Sequence, residues 1–274
     1  MRLYVPLPLS TGAEWPLPEG PARHAMVRRV QPGDHLTLFD GSGSDWDATV
    51  LAVTRRDVQV RVGAATAVHR ELPVAVTLAA VMPANERMDV LVEKATELGV
   101  SLIQPLHSER SVLRLSGERA LRKQAHWQAV AQAACEQCGR AVVPQVAPVM
   151  ALIDWLAGPQ NRPDNRLHTG PHTGPHTGPH TGPHIAPNTG PNTGARWLLS
   201  LGTGALAPMN LPRPQQALCT LSGPEGGFTA EEAAAALAAG FVPTDLGPRV
   251  LRAETAPLAV LAWLGLSLPI PGHG

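Results

Sequence analysis

The sequence predicts an α/β protein, with a parallel sheet and helices in its larger carboxyl-terminal part and a small β domain before it. After residue 72, apolar strand-like segments alternate with helix-like segments, and two of the strands run directly into glycine-rich turns. Before residue 72, short strand-like segments are separated by turn signals. The length of 274 residues suits two domains and a substantial core.

The first region contains three predicted strands, at residues 35–39, 46–53 and 57–62. Apolar and polar residues alternate along them, which is typical of strands with one buried face. Gly41 and Gly43 lie between the first two strands and allow the left-handed backbone that a hairpin connection needs. We therefore expect a small β-barrel over residues 1–72.

The second region begins with an apolar run at 72–81, which predicts a buried strand. Asn85 is placed to cap the next helix and Gly99 to end it. Between them, five apolar residues follow helical spacing: Met88, Leu91, Val92, Ala95 and Leu98. Further strands are predicted at 100–106, 144–146 and 196–201, and further helices at 117–139 and 150–156.

Two glycine-rich turns organise the end of the chain. A strand predicted at 217–221 leads into S-G-P-E-G-G at 222–227, and a strand predicted at 241–246 leads into a second turn that begins at Gly247. The carboxyl ends of parallel strands share one edge of a sheet, and α/β proteins bind ligands in the crevice along that edge. We therefore expect both turns to border one ligand site.

Each of these turns leads into a predicted helix. Thr229 and Glu232 have the spacing of a capping box, which begins a helix over 230–239 that Gly240 ends. The last helix is predicted at 254–268.

The glycines of the first turn, Gly223, Gly226 and Gly227, are expected to allow positive φ and to bring backbone N–H groups close to a ligand. No Lys-Ser or Lys-Thr pair follows them, which excludes a phosphate-binding Walker loop. Taken alone, such a turn is equally typical of an ordinary loop.

Four runs together are more specific. They are E-K-A-T-E-L-G-V at 93–100, C-E-Q-C-G-R at 135–140, S-G-P-E-G-G at 222–227 and L-G-P-R-V-L-R-A-E-T at 246–255. These runs resemble the 16S ribosomal RNA uracil-N3 methyltransferases of the SPOUT superfamily. The resemblance implies a trefoil-knotted, parallel-sheet methyltransferase domain at 73–274, preceded by a PUA-like RNA-binding β domain at 1–72.

The resemblance also implies an activity: transfer of a methyl group from S-adenosylmethionine to N3 of a specific uridine in 16S ribosomal RNA. Assembled small subunits as substrate and a homodimer are implied in the same way. By resemblance, three loops would hold the cofactor with Leu201, Gly202, Gly223, Pro224, Glu225, Gly226, Gly227, Leu246, Gly247, Val250 and Leu251.

The catalytic candidates are Arg252 and Arg249, because a cation near O2 or O4 would stabilise the uracil anion that forms when N3 loses its proton. Glu254 is a candidate to orient an arginine, and it is equally well explained as a carboxylate favoured by the dipole of a helix start. Glu225 is an alternative orienting group or base, and the identity of the general base stays open.

The candidate RNA contacts are arginines in both regions: Arg23, Arg28, Arg29, Arg110 and Arg140. Net charge is zero and the sequence pI is about 7.2, which argues mildly against a nucleic-acid protein. A local basic patch at 108–123 weakens that objection, although such a run is also typical of a solvated helix face. Arginine outnumbers lysine 20 to 2, and the arginine fork suits phosphate.

A repeat of His-Thr-Gly-Pro begins at His168 and lies in an insert at about 158–195 that the resemblance skips. Glycine and proline at every fourth position exclude a helix, and we expect a disordered segment whose removal leaves activity intact. Cys135 and Cys138 form a Cys-x-x-Cys pair, but they lack a second ligand pair for zinc and lie at a helix end unsuited to a redox motif. We therefore predict no metal.

Three cysteines, the lack of a signal-like amino terminus and the absence of any long apolar run predict a cytoplasmic protein. Two alternative functions stay open. One is a SPOUT methyltransferase that acts on another RNA such as tRNA, and the other is a non-catalytic RNA-binding module. A module of the second kind has no reason to keep both glycine turns.

Overall fold

The structure, a computed structural model, describes residues 1–84, 86–158, 194–200 and 204–268. Some predicted features lie outside the described residues. They are almost all of the predicted insert, the predicted cap Asn85, and the predicted cofactor residues Leu201 and Gly202. The chain forms two compact units. The first holds Met1–Glu71 together with Gln132–Val143, and the second holds Leu72–Ala131 and the described residues from Pro144 onward.

The first unit is built on a five-stranded sheet of order β1-β3-β4-β5-β2. β1 and β3 are parallel and the other neighbours are antiparallel. Its elements are β1 (Arg2–Tyr4), β2 (Glu14–Pro16), α1 (Glu19–Val27), β3 (His35–Phe39), β4 (Ser44–Val53) and β5 (Val58–Ala67). The three predicted strands are confirmed as β3, β4 and β5, and Gly41 and Gly43 both have positive φ in the connection between β3 and β4.

The end of a helix that begins in the second unit belongs to the first. Arg2 of β1 lies 3.7 Å from the ring centre of Phe39, and its guanidinium donates to the backbone oxygens of Cys135, at 2.6 Å, and Arg140, at 2.8 Å. The backbone N–H of Tyr4 donates to Glu136 at 2.8 Å. These bonds explain why 132–143 packs with the amino-terminal sheet, which the sequence did not predict.

Arg140 is buried in the first unit and pairs with Glu71. Its Nε donates to Oε1 of Glu71 at 3.0 Å and its Nη2 to Oε2, and only 3% of the Arg140 side chain is exposed. Burial alone would lower the pKa of Arg140, but the bond to Glu71 outweighs it and raises the pKa. The predicted RNA contact at Arg140 is therefore corrected, because a buried guanidinium already bonded to a carboxylate is not available to phosphate.

The second unit is built on a sheet of order β12-β10-β11-β6-β7-β8, with β9 also beside β7, and every neighbouring pair is parallel. The predicted parallel α/β fold is thereby confirmed. The strands are β6 (Ala75–Val81), β7 (Leu102–His107), β8 (Gln145–Val146), β9 (Met150–Ala151), β10 (Ala195–Leu199), β11 (Ala217–Ser222) and β12 (Val242–Thr244). The helices are α2 (Arg87–Glu97), α3 (Gly117–Cys138), α4 (Leu152–Ala157), α5 (Ala230–Ala238) and α6 (Thr255–Ser267).

Two apolar layers cover the two faces of this sheet. Side chains alternate along β6, so that Val76 and Leu78 pack with α2, α3 and α6, whereas Ala79 and Val81 pack with α4 and α5. The predicted stripe of α2 faces the first layer, with Met88, Leu91, Val92 and Ala95 buried and Leu98 partly buried. In the part of the chain that the structure describes, no helix is long and apolar enough to cross a membrane.

One helix boundary differs from the sequence prediction for an identifiable reason, and another agrees with it. Residues 150 and 151 were predicted as helix but form β9, because they pair with Leu106 and His107 of β7 and α4 begins only afterwards. α2 ends at the predicted Gly99, which has a φ of +96°, and a Cβ there would lie 2.7 Å from a side-chain carbon of Leu72.

Loss of the Arg140 guanidinium should unfold the first unit at lower denaturant concentration. Arg140→Ala leaves Glu71 without its cation, and breaking a buried pair in this way costs about 3–5 kcal/mol. Urea unfolding, with hydrogen exchange of first-unit amides to assign the transition, measures this loss.

The matched control is Arg61→Ala. Arg61 pairs with Glu14 at 2.6 Å, but both side chains are about half exposed, so its loss should cost about 0–1 kcal/mol. Equal stability losses in the two variants would contradict a structural role for the buried pair.

Candidate functional site

The two glycine turns leave the sheet from one row of residues. The last residue of β11, Ser222, pairs with Leu199 of β10 on one side and Ala80 of β6 on the other. Leu199 in turn pairs with Thr244, the last residue of β12. The turn after β11 and the turn after β12 therefore begin at the same edge of the sheet, on strands that flank β10, as the sequence predicts.

The first turn is shaped by close packing more than by unusual φ angles. Gly227 has a φ of +67° and donates its N–H to the oxygen of Pro224 at 2.9 Å. Gly223 and Gly226 do not have positive φ, which corrects that part of the prediction. A Cβ at Gly223 would lie 3.0 Å from the ring of Phe228, and a Cβ at Gly226 would lie 3.4 Å from Cβ of Arg110.

The capping box at the start of α5 is confirmed, and its Glu232 also bonds to the loop after β7. Oε2 of Glu232 accepts the backbone N–H of Thr229 at 3.0 Å, and the Thr229 hydroxyl accepts that of Glu232 at 3.2 Å. Oε1 of the buried Glu232 accepts the N–H of Glu109 at 2.8 Å. Arg110 adds a bond from Nη1 to the oxygen of Gly226 at 3.0 Å, so the loop after β7 braces the turn after β11.

Arg110 is exposed, and its predicted RNA contact stays a prediction. The bond to Gly226 is a contact that the basic pattern at 108–123 did not indicate. It joins residues 116 positions apart in the chain, which no local pattern reports.

The second turn presents its arginines to solvent. Gly247 has a φ of +103° and donates its N–H to Asp245 at 3.0 Å. Arg249, Val250 and Arg252 are exposed, and the backbone oxygen of Arg252 accepts the N–H groups of two residues that begin α6. Leu246 and Leu251 are partly buried.

Arg87 was not predicted, and it joins the two turns. Its Nη1 lies 3.1 Å from Oε1 of Glu225 in the first turn, and its Nε lies 3.9 Å from Oε1 of Glu254 at the end of the second. The arginine beside Glu254 is therefore Arg87, whereas the sequence suggested Arg249 or Arg252. Arg87 follows β6 and begins α2, so its place at the shared strand edge was a usable signal.

Two buried oxygen atoms at this edge have no hydrogen-bond partner among the described residues: Oγ of Ser222 and Oε2 of Glu254. Buried polar atoms in proteins are nearly always hydrogen-bonded, and exceptions occur where a ligand binds. Both atoms belong to the two turns and are open to a hydrogen bond with a water molecule or a polar ligand at this edge.

The remaining arginine candidates lie in the first unit. Arg23 lies on α1, and Arg28 and Arg29 follow it, and all three are exposed. Arg29 has a φ of +58°, the only positive φ of a residue other than glycine in the described part of the chain. Their predicted role in RNA binding stays a prediction.

Two known domain families match the chain. The family described as an RNA methyltransferase domain matches residues 70–174 and 198–265, and the one described as an RNA methyltransferase PUA domain matches residues 19–63. The chain belongs to this RNA methyltransferase family. The predicted fold class, a parallel-sheet α/β methyltransferase fold after a PUA-like domain, is confirmed, and the trefoil knot stays a prediction.

Proteins similar to this methyltransferase match most of its chain. Ribosomal RNA small subunit methyltransferase E of Synechocystis is 32% identical over 88% of this chain and 69% of that protein. The protein of the same name in Bacillus subtilis is 28% identical over 86% of this chain and 83% of its own length. The crystal structure of the Neisseria gonorrhoeae enzyme bound to S-adenosyl methionine superposes with a TM-score of 0.80 and 33% identity, covering 97% of both chains.

Cys135 and Cys138 of the methyltransferase lie in the last turn of α3, within the first unit. The contact with the Cys135 thiol lowers the pKa of Cys138 to about 6, and the same contact and burial raise the pKa of Cys135, whose thiol also donates to the backbone oxygen of Val142 at 3.6 Å. Burial raises the pKa of Cys219 to about 12. Across the described residues, no group of three or more His, Cys, Asp or Glu side chains is arranged to hold a metal ion.

Cys138 should be the thiol that reacts first with iodoacetamide. Because the thiolate is the nucleophile, its alkylation rate should rise as pH passes through about 6, while the buried Cys219 stays unmodified in the native protein. Mass spectrometry of peptides from timed reactions at several pH values measures both rates.

Cys135→Ala removes the thiol beside Cys138, so the pH midpoint of Cys138 alkylation should move towards the ordinary thiol pKa of about 8.5. Cys135→Ser keeps a hydroxyl donor at that position and should move the midpoint less. A midpoint near 8.5 in the unmodified protein would contradict the contact between the two thiols.

Proposed function

We propose that this protein transfers a methyl group from S-adenosylmethionine to N3 of a specific uridine in the 16S RNA of the small ribosomal subunit. The observation that carries the proposal is the shared strand edge, where the turns 222–227 and 246–255 emerge from β11 and β12 in one row of the sheet. The relatives named as small subunit rRNA methyltransferases support the substrate, and the family resemblance supports the N3 position.

The residues at this edge fit S-adenosylmethionine. Gly223 packs against the ring of Phe228, and its lack of a side chain leaves the backbone of the first turn open at the strand edge. Oγ of Ser222 and Oε2 of Glu254 are buried without a partner in the described part of the chain, and the cofactor carries hydroxyl and amino groups that can bond to them. When bound, S-adenosylmethionine supplies a methyl group activated by a positively charged sulfonium.

The binding role falls to the backbone and apolar side chains of three loops. In this proposal the cofactor is held by Leu201, Gly202, Gly223, Pro224, Glu225, Gly226, Gly227, Leu246, Gly247, Val250 and Leu251. Val250 is 82% exposed on the second turn, so its side chain is free to contact a bound cofactor.

The chain's catalytic work is to hold uracil in line and to stabilise its negative charge after N3 loses a proton. Positioning alone contributes several kcal/mol to such a reaction. Arg252 and Arg249 are exposed on the second turn, where a guanidinium can approach O2 or O4 of the base. Glu254 lies at the end of the same turn, with one carboxyl oxygen buried.

RNA recognition is assigned to two sets of exposed arginines. Arg23, Arg28 and Arg29 stand on the PUA-like unit, and Arg110 lies beside the first turn of the methyltransferase unit. Guanidinium groups bind phosphate oxygens through paired N–H donors, so these residues would hold the RNA backbone while the uracil is unstacked and enters the site.

A homodimer in the cytoplasm is part of the proposal. α6 is apolar around its whole circumference, and Leu266 is 90% exposed on it. A helix of that kind is normally buried on more than one side, and a second copy of the chain would cover it.

Arg252→Ala should reduce methyl transfer by about 100- to 1,000-fold, because it removes a group that stabilises charge only as the reaction proceeds. The assay uses labelled S-adenosylmethionine with small subunits from a strain lacking the protein, followed by digestion and identification of 3-methyluridine. Circular dichroism confirms that the variant is folded.

Arg213→Ala is the matched control, since Arg213 is an exposed arginine of the same unit outside both turns, and it should keep full activity. Wild-type turnover by folded Arg252→Ala would contradict the assigned role. Label on tRNA and not on small subunits would show that the substrate is tRNA. Measurable RNA binding without any S-adenosylmethionine binding would favour the non-catalytic RNA-binding module.

A further inference from the structure

We propose that Arg87 is a positioning residue that holds the two ligand turns in register, and that it leaves one oxygen of Glu254 free to accept a hydrogen bond from the ligand. The inference rests on the proposed function. It starts from a contact that spans three loops: Arg87 begins α2, Glu225 belongs to the turn after β11, and Glu254 ends the turn after β12.

Glu225 is bound from two directions by the loop after β6. Its Oε1 accepts from Nη1 of Arg87 at 3.1 Å and from the backbone N–H of Ala84 at 3.2 Å. The backbone bond fixes where the carboxylate sits, and the guanidinium neutralises it. Arg87 therefore connects the first turn to an element that follows the neighbouring strand of the sheet, β6.

Glu254 is held on one side only. Nε of Arg87 lies 3.9 Å from Oε1 of Glu254, and the side chain of Glu254 is 12% exposed. Its other oxygen, Oε2, is buried and has no hydrogen-bond partner among the described residues. The contact with Arg87 is an ion pair longer than a hydrogen bond, so burial of this carboxylate costs free energy unless a donor reaches its open oxygen.

Arg87 also separates two like charges. Glu225 and Glu254 both approach the same guanidinium, and without the cation their mutual repulsion would favour movement of the turns apart. A planar guanidinium can face two carboxylates through different nitrogen atoms, which a lysine ammonium cannot do with the same geometry. The arrangement thus ties the shape of both turns to one side chain.

The open oxygen of Glu254 fits an N–H or O–H donor. Two sources supply such a donor in the proposed reaction: the hydroxyl and amino groups of S-adenosylmethionine, and the N3–H group of the uracil. Glu254→Gln removes the charge of Glu254 but keeps its size. Its effect on cofactor binding and on kcat should differ between the two sources.

The test compares Arg87→Ala, Arg87→Lys and the control Lys94→Ala by calorimetric titration with S-adenosylmethionine and by steady-state methylation of small subunits. Lys94 lies on the same helix, and its ammonium bonds only to Glu93 and Glu97 of that helix in the described structure. Arg87→Ala should raise the dissociation constant for S-adenosylmethionine roughly tenfold, since two partly exposed ion pairs are lost. Arg87→Lys should recover part of that loss, and Lys94→Ala should bind as the unmodified protein does.

A merely structural role is excluded by a double-mutant cycle. If Arg87 acts through Glu225, the effect of Arg87→Ala on the dissociation constant should largely disappear in a Glu225→Gln background. Additive effects in that cycle, or an unchanged dissociation constant in folded Arg87→Ala, would overturn the proposal. Failure of the unmodified protein to bind S-adenosylmethionine would instead overturn the proposed function before any variant is compared.

Glu254→Gln identifies the donor. A raised dissociation constant for S-adenosylmethionine in this variant would assign the open oxygen to the cofactor. An unchanged dissociation constant with a lowered kcat that recovers as pH rises would assign it to the uracil N3–H. Both results support the open acceptor. Unchanged binding together with unchanged kcat would show that Oε2 of Glu254 has no ligand role.

Discussion

The site depends on the parallel register of β11. This strand pairs with β6 over Ala217–Ser222 and with β10 over five of the same six residues, so the chain leaves the sheet at a position fixed on both sides. Because β12 pairs with the other side of β10, its last residue falls in the same row as Ser222. A shift of one residue would turn every side chain of β11 to the opposite face and exchange the two apolar layers. The position of both turns is thus set by the core.

Features that rest on local chemistry could be predicted from the sequence. The capping box of Thr229 and Glu232 involves residues three positions apart, and the stripe of α2 follows helical spacing, and both appear as predicted. The pairing of Arg140 with Glu71 joins residues 69 positions apart. No local pattern distinguishes an arginine that is buried against such a partner from one that faces solvent, which is why Arg140 was assigned to RNA.

The same limit applies inside the site. The two turns and the edge they share follow from strand–turn–helix patterns, whereas the contacts that shape them do not. Gly223 was expected to provide positive φ. The structure instead requires glycine there because a Cβ would lie 3.0 Å from the ring of Phe228. Arg87 lies 138 positions from Glu225, and only the assembled sheet brings them together. Sequence patterns located the loops, and long-range packing determined which side chains support them.

The surroundings of individual arginines explain how a chain with a net charge of zero can bind RNA. Arg140 is buried against a carboxylate, and Arg87 is paired with Glu225 of the first turn, so these two cations are offset within the protein. Exposed arginines on and just after α1, on the second turn and at Arg110 are left to attract anions from outside. A domain can therefore bind RNA without a basic pI, because binding depends on the few cations that face the partner and not on the sum over the chain. Salt should accordingly weaken RNA binding by this protein through a small number of phosphate contacts, with little effect on the buried pair.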